Sequence, residues 1–144
     1  FQAKVLKDGD EVLCDFLGAH SYISSSWYNH QNVSTWNYEA VQVRGKVKLM
    51  NDDELYEHLR KLTFKYEKPQ KCPMLVENME DEYVKNEMKG AFGIHIFPTE
   101  IYVASKLSQN RNEANAERII SNLIETEDSD SKKIAEKMKK NRNI

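Results

Sequence analysis

The sequence contains few of the residues that mark specialised protein classes. Its 144 residues include only two cysteines, Cys14 and Cys72, which are far apart and in no ligand spacing. We therefore expect free thiols and a reducing, cytoplasmic location. No apolar run approaches the ~20 residues that a bilayer-spanning helix needs, and no signal peptide is visible, so no membrane partner is expected. The net charge of −2 gives no global electrostatic basis for binding nucleic acid.

The motifs of common active sites are absent as well. The sequence has no GxGxxG, no P-loop and no CxxC pair. Its four histidines show no i,i+4 pairing, so no metal site is predicted. Asp15, His20 and the serines at 24–26 are residue types of a catalytic triad, but no nucleophile elbow accompanies them. We therefore predict no hydrolase, and no helix-turn-helix pattern is visible either.

The composition is that of a folded domain. Hydrophobic residues make up 40%, charged residues 31% and aromatic residues 10% of the chain, and this length can bury a core without disulfides or metals. The expected class is mainly β with helices (α+β). The chain starts at Phe1 rather than Met, which indicates processing or residues missing upstream.

A turn at 7–10 and a strand at 11–17 are the first predicted elements. Apolar residues on both faces of the strand favour a central position in the sheet. Gly18 is expected to break the strand. Residues 20–24 form either a second short strand or the bend that follows the first.

The segment 19–45 stands out because it holds both tryptophans among many serines and asparagines. Trp27 and Tyr28 lie in a polar loop, and exposed aromatic residues there need something to pack against. They form either a plug in the core or the wall of a ligand site, and composition alone favours the plug.

The clearest strand is predicted over 36–50, where valines alternate with polar residues. Gly45 interrupts its apolar face and indicates a bulge or a close backbone approach. Asn37 and Glu39 fall in the same phase as the inward valines. Either a bulge near Ala40 changes the phase, or two inward polar groups need a ligand or a second subunit.

Two helices are predicted in the middle of the chain. The first, over 51–67, has a capping box of Asn51 and Glu54, and Pro69 ends it. Its apolar stripe is expected to contain Leu55, Leu59, Leu62 and Tyr66. A short acidic helix is predicted over 79–89, with Met79 and Tyr83 facing inward and Met88 as a third candidate.

The last third is predicted to contain a hairpin and two further segments. Residues 91–97 and 101–107 look like its two strands, joined around Pro98. A helix over 111–125, capped by Asn110 or Asn112, follows. The charged segment 126–144 is predicted to be a frayed helix or a tail.

Three stretches resemble a known family: AHSYISSSWY, NVSTWNYEAVQVRGKVKL and KLSQNRN. They are similar to the PaiB-type FMN-binding negative transcriptional regulators over about 18–123. The resemblance implies an FMN-binding split β-barrel related to pyridoxamine-phosphate oxidases and haem-utilisation oxygenases. It also implies a homodimer with flavin at the subunit interface. Family members begin well upstream, so N-terminal strands are expected before Phe1. The implied domain covers 1–125, followed by the charged segment 126–144.

The resemblance also implies a set of cofactor-binding residues. They are His20, Tyr22, Ser24, Trp27, Tyr28, Asn32, Thr35, Trp36, Asn37 and Tyr38, with a second set of Lys106, Ser108, Gln109 and Asn110. In these roles Trp27 or Trp36 would stack on the isoalloxazine or pack against its edge. Ser24, Thr35 and Asn37 would form hydrogen bonds with ring or ribityl oxygens. Lys106, with Gln109 and the amides at the next helix start, would hold the phosphate. Ser25 and Ser34 stand where the family usually has prolines.

Three functions remain open at this point. The first is a cofactor-binding regulator that uses FMN, for which DNA is a partner by family label only. The second is a flavin- or haem-dependent oxidoreductase, although no catalytic residue can be named for it. The third is a degenerate barrel that mediates protein contacts. Fold alone does not choose among them.

Overall fold

The structure is a computed structural model that describes residues 5–142. Within that range the chain forms three strands, four α-helices and two short 3₁₀ turns at Ser25–Trp27 and Val76–Asn78. The elements are β1 (Glu11–Ile23), β2 (Thr35–Leu49), α1 (Asp52–Glu67), α2 (Asp81–Met88), β3 (Ile94–Lys106), α3 (Glu113–Glu125) and α4 (Ser129–Arg142). The α+β class is confirmed. More of the described residues lie in helices than in strands, so the fold is mixed rather than mainly β.

The strands form one antiparallel sheet in the order β1-β2-β3. Strand β2 is therefore central, and the prediction of a central β1 is wrong for the described part of the chain. Strand β1 also runs on through Gly18 to Ile23 rather than ending there. A Cβ at Gly18 would lie 3.2 Å from the carbonyl oxygen of Glu39. Glycine here permits a close strand approach instead of breaking the strand.

The predicted hairpin around Pro98 is wrong, because β3 is one continuous strand of 13 residues. Proline cannot donate to a sheet ladder, but it is tolerated on an edge strand, and β3 is an edge of the described sheet. Gly45 of β2 faces this part of β3. A Cβ at Gly45 would lie 2.6 Å from the Phe97 carbonyl oxygen and 2.7 Å from Ile96 Cγ2. The close-approach interpretation of Gly45 is confirmed.

The described chain divides into two compact units, and each strand contributes residues to both. The first unit contains residues 5–12 and 45–99. Its turn is confirmed by a bond of 3.1 Å from the Asp10 amide to the Lys7 carbonyl. Helix α1 has the predicted capping box. Leu55 is buried, but Leu62 and Tyr66 are 44% and 60% exposed, so the predicted apolar stripe is buried only at its start.

Helix α2 of the first unit is shorter than predicted, and one of its predicted inward side chains is exposed. It starts at Asp81 and ends at Met88. Tyr83, expected to face inward, is 54% exposed. Met88, and Met79 just before the helix, are half-buried as predicted, and Val84 is half-buried as well. The prediction for the buried face is therefore wrong at Tyr83 only.

The second unit contains residues 13–44 and 100–142, and it holds the larger apolar core. Helix α3 begins after Asn112, whose side chain accepts from the Asn115 amide at 3.0 Å, so one of the two predicted caps is confirmed. Helix α4 places Ile134 and Met138 in the core, both fully buried. Residues 129–142 are therefore a packed helix and not a solvated tail. Ile144 lies outside the described residues.

Strand β2 keeps its phase within the second unit. Asn37 is fully buried, whereas Trp36, Gln42 and Arg44 are exposed. The odd-numbered positions face inward throughout, so the predicted bulge near Ala40 is wrong. The two inward polar side chains, Asn37 and Glu39, have partners within the same chain. Finally, no helix within 5–142 has the length and apolarity needed to cross a membrane.

Candidate functional site

An exposed aromatic cluster lies on neighbouring strands β1 and β2 of the second unit. The Trp36 ring lies 5.9 Å from the His20 ring and 5.8 Å from the Tyr22 ring, measured between centroids. The indole is 51% exposed and the phenol ring 46% exposed. Large flat side chains left half open in this way can stack on an aromatic ligand.

This cluster forms one wall of a cavity of about 470 Å³. The lining residues are His20, Ser21, Tyr22, Trp27, Trp36, Thr126, Asp128, Asp130 and Ser131. The second wall comes from the connection between α3 and α4 and from the first turn of α4. No sequence signal pointed to that connection, because its contacts with β1 join residues about a hundred positions apart.

The polar side of this cavity is held together by internal bonds. Ser21 and Ser131 share a hydroxyl–hydroxyl bond of 2.8 Å. The amide of Ser131 donates to Asp128 Oδ2 at 2.6 Å, and this bond is the main cause of a lowered pKa for Asp128. Asp130 lies 3.6 Å from His20 Nδ1 and pairs with Lys133 at 2.9 Å. Both carboxylates therefore have partners already.

A second cavity, of about 350 Å³, is lined by five more of the predicted residues. Its lining consists of Val33, Ser34, Thr35, Lys106, Ser108, Gln109, Asn110 and Arg111. Lys106 Nζ donates to Thr35 Oγ1 at 2.5 Å. The structure thus brings Thr35 together with the whole second motif set, 71 positions further along.

The turn after β3 shapes this second cavity. Ser108 has a left-handed backbone with φ of 55°, which is uncommon for a residue other than glycine. Its hydroxyl donates to Asn37 Oδ1 at 3.1 Å. Arg142, in the last turn of α4, donates to the carbonyl oxygens of Ser108 and Arg111 at 3.1 and 2.8 Å. These bonds fix an otherwise strained turn.

Some predicted site residues line neither of these two cavities: Ser24, Tyr28, Asn32, Asn37 and Tyr38. Tyr28 is 5% exposed and belongs to the apolar core, as the plug interpretation predicts. Asn37 is fully buried, and its amide is bonded to Ser108 and to Met138 Sδ. Ser24 caps the first 3₁₀ turn. Tyr28, Asn37 and Ser24 thus contact other residues of this chain.

The comparison with protein families decides the classification. The model described as "Putative FMN-binding domain" matches residues 1–100. The chain belongs to this family. A relative from Bacillus subtilis (strain 168), named "Protease synthase and sporulation protein PAI 2", is 43% identical over 129 residues. The alignment covers 90% of this chain and 62% of the relative, so the chain spans less than two thirds of that protein. The PaiB-type resemblance is confirmed.

The residues of this FMN-binding family member fit a flavin in chemical terms. Trp36 offers an open aromatic face, and the cavity at Lys106 offers a cation to a phosphate. The family match ends at residue 100, so it includes the aromatic cluster but not Lys106. Neither the family description nor the relative's name mentions haem, so the haem alternative has no support.

Proposed function

We propose that this protein is an FMN-binding homodimer of the PaiB type, with a split-barrel fold and a regulatory role. The observation that carries the proposal is the half-open indole of Trp36, flanked by His20 and Tyr22 on a surface within the family-matched region. An isoalloxazine ring is flat and its faces are largely apolar, so stacking on this surface would remove apolar area from water on both partners.

The phosphate end of FMN is assigned to the cavity at Lys106. The Lys106 ammonium bonds a neutral hydroxyl of Thr35 and has no carboxylate partner among the described residues. Gln109 and the turn amides lie beside it. When bound, FMN would supply a redox-active ring, and this chain would supply the surface and charges that orient it.

The relative placement of the aromatic cluster and the Lys106 cavity favours a flavin site at the interface between subunits. Thr35 and Trp36 are consecutive residues of β2, so their side chains leave the strand on opposite sides. One flavin cannot run straight from the indole to Lys106 within one chain without passing around the strand end. A homodimer removes this difficulty, because one subunit can contribute the aromatic wall and the other the phosphate cavity.

A regulatory role fits better than catalysis, since no group in either cavity is assigned as a proton donor or nucleophile. The carboxylates of the larger cavity already have partners. The relative's name links that protein to protease synthesis and sporulation. We therefore propose that FMN acts as a sensed ligand and that DNA is the partner through which regulation is exerted.

The first experiment is a titration of the purified full-length protein with FMN, followed by flavin fluorescence and the visible spectrum. We expect binding by the wild type and about tenfold weaker binding by Trp36→Ala, because one aromatic stacking contact and its buried area are lost. Tyr66→Ala, which removes another exposed aromatic ring from the first unit, is the matched control and should bind FMN normally.

Three results would contradict the proposal. Absence of FMN binding by the wild type would remove the cofactor assignment. Unchanged affinity in folded Trp36→Ala would remove the stacking role. Turnover of NADPH with reduction of bound FMN would replace regulation with an oxidoreductase, whereas an FMN-dependent mobility shift of promoter DNA supports the regulatory role.

A further inference from the structure

Arg111 lies in the KLSQNRN stretch but is not among the cofactor-binding residues that the resemblance implies. It follows the left-handed turn at Ser108 and lines the same cavity as Lys106. Its side chain is half-buried, and its Nε is buried without a hydrogen-bond partner. No carboxylate within residues 5–142 forms an ion pair with it. A buried N–H donor without an acceptor is costly, because its hydrogen bond to water is lost and not replaced.

The position of Arg111 is fixed by an aromatic ring beneath it. The guanidinium carbon lies 5.1 Å from the centroid of Tyr28, a cation–π geometry. Tyr28 is 5% exposed and held in the core, so the ring is a rigid support. Its hydroxyl is also buried without a partner in the structure. Two unsatisfied polar groups on adjacent side chains indicate that a further group is expected here.

The charge around this cavity is of one sign. Two cations line it, the remaining lining side chains are neutral, and most of these carry a hydroxyl or an amide. Arg142 already engages carbonyl oxygens of the turn, which removes acceptors that would repel an anion. A tetrahedral anion with several acceptor oxygens matches two cations and neutral donors best.

We propose that Arg111, supported by Tyr28, binds the terminal phosphate of the ligand together with Lys106 and makes flavin binding depend on that phosphate. This inference rests on the proposed function for its ligand. It goes beyond that function in naming a residue that selects FMN over riboflavin, which lacks the phosphate. A planar guanidinium can contact two phosphate oxygens at once, whereas a lysine acts as a single point charge.

The test compares FMN, riboflavin and inorganic phosphate on four full-length proteins: the wild type, Arg111→Gln, Arg111→Lys and the control Lys140→Gln. Lys140 is exposed on α4 and lines neither cavity, so its substitution removes one charge without touching the site. We expect Arg111→Gln to weaken FMN binding about tenfold or more, the loss typical of a charged hydrogen bond. Riboflavin affinity should not change. The FMN affinity of Arg111→Lys should lie between those of the wild type and of Arg111→Gln.

Inorganic phosphate provides an arm that does not depend on flavin. It should raise the melting temperature of the wild type and of Lys140→Gln, but not that of Arg111→Gln. If the wild type binds neither FMN nor riboflavin, the proposed function is wrong. The phosphate experiment then still shows whether this cavity binds an anion. Equal losses for FMN and riboflavin, or unchanged FMN affinity, would overturn the role of Arg111. If Arg111→Gln does not fold, the FMN and riboflavin affinities of Arg111→Lys are compared with those of the wild type, and a smaller loss for FMN alone is expected.

Discussion

Asn37 shows how a residue from a binding motif can be part of the framework. It is fully buried, its oxygen accepts from the Ser108 hydroxyl at 3.1 Å, and its amide nitrogen lies 3.4 Å from Met138 Sδ. It therefore joins β2 to the turn after β3 and to α4. We infer that Asn37 holds in place the strand and the turn that form the Lys106 cavity, and that it does not contact a flavin itself.

Substitution Asn37→Ala should reduce the free energy of unfolding by about 2–3 kcal/mol, because it leaves a small cavity and an unsatisfied hydroxyl on Ser108. Urea unfolding measures the change. Gln42→Ala, at an exposed position of the same strand, is the control and should change stability by less than about 0.5 kcal/mol. A similarly small effect of Asn37→Ala would show that the buried amide is not a structural link.

At the scale of elements, the helices with local signals were predictable. Helix α1 follows from Asn51 and Glu54, because a capping box acts within four residues. The continuity of β3 was not predictable, since tolerance of Pro98 depends on the strand lying at an edge. The burial of α4 was not predictable from the sequence for a similar reason. Only a few apolar side chains mark it, and the core they enter is formed by distant residues.

The capping box of α1 also carries a pH dependence. The Asn51 amide donates to Glu54 Oε2 at 3.0 Å, and this bond, followed by Lys48, lowers the pKa of Glu54. A lowered pKa in the folded state stabilises the protein above the unfolded pKa. This stabilisation is lost as the pH falls through the folded value.

We therefore expect the stability advantage of the wild type over Glu54→Gln to be largest near about pH 7 and to vanish towards about pH 3. Glutamine can still cap the helix, so the comparison isolates the charge. Urea unfolding across this range measures the difference. Glu82→Gln, at an exposed position of α2, provides the control. A difference between wild type and Glu54→Gln that does not change with pH would contradict the assignment.

The candidate site was predictable only in part. Nine of the fourteen motif residues line one of the two cavities. The wall formed by Asp128, Asp130 and Ser131 was not predictable, because its place opposite Trp36 depends on how α3 and α4 pack. Arg111 was missed because its significance lies in what it lacks, a counter-charge, and sequence does not show pairing.

At the scale of the whole molecule, the sheet leaves several large apolar side chains exposed. In the second unit Phe16, Leu17, Ile101 and Val103 are 60%, 57%, 61% and 75% exposed. Apolar patches on edge strands are typical of surfaces that pair with another chain. This exposure supports the proposed homodimer.

Substitution Val103→Glu should convert the dimer into a monomer, because a carboxylate would be desolvated in the interface while remaining solvated in the free chain. Sedimentation at micromolar concentration measures the state. Lys140→Glu, also in the second unit, is the control and should remain dimeric. A monomeric wild type would contradict the homodimer, and a dimeric Val103→Glu would place the interface elsewhere.

The division of the chain into units has a consequence for biosynthesis. The second unit is built from residues 13–44 and 100–142, and its buried bonds join Ser21 to Ser131 and Asn37 to Met138. A ribosome makes the first unit's residues, which end at 99, before it makes α3 and α4. The aromatic cluster therefore emerges early, and its neighbouring core cannot close until the last helix has been translated. During that interval Tyr28 lacks the α3 and α4 side chains that form the core with it in the folded chain.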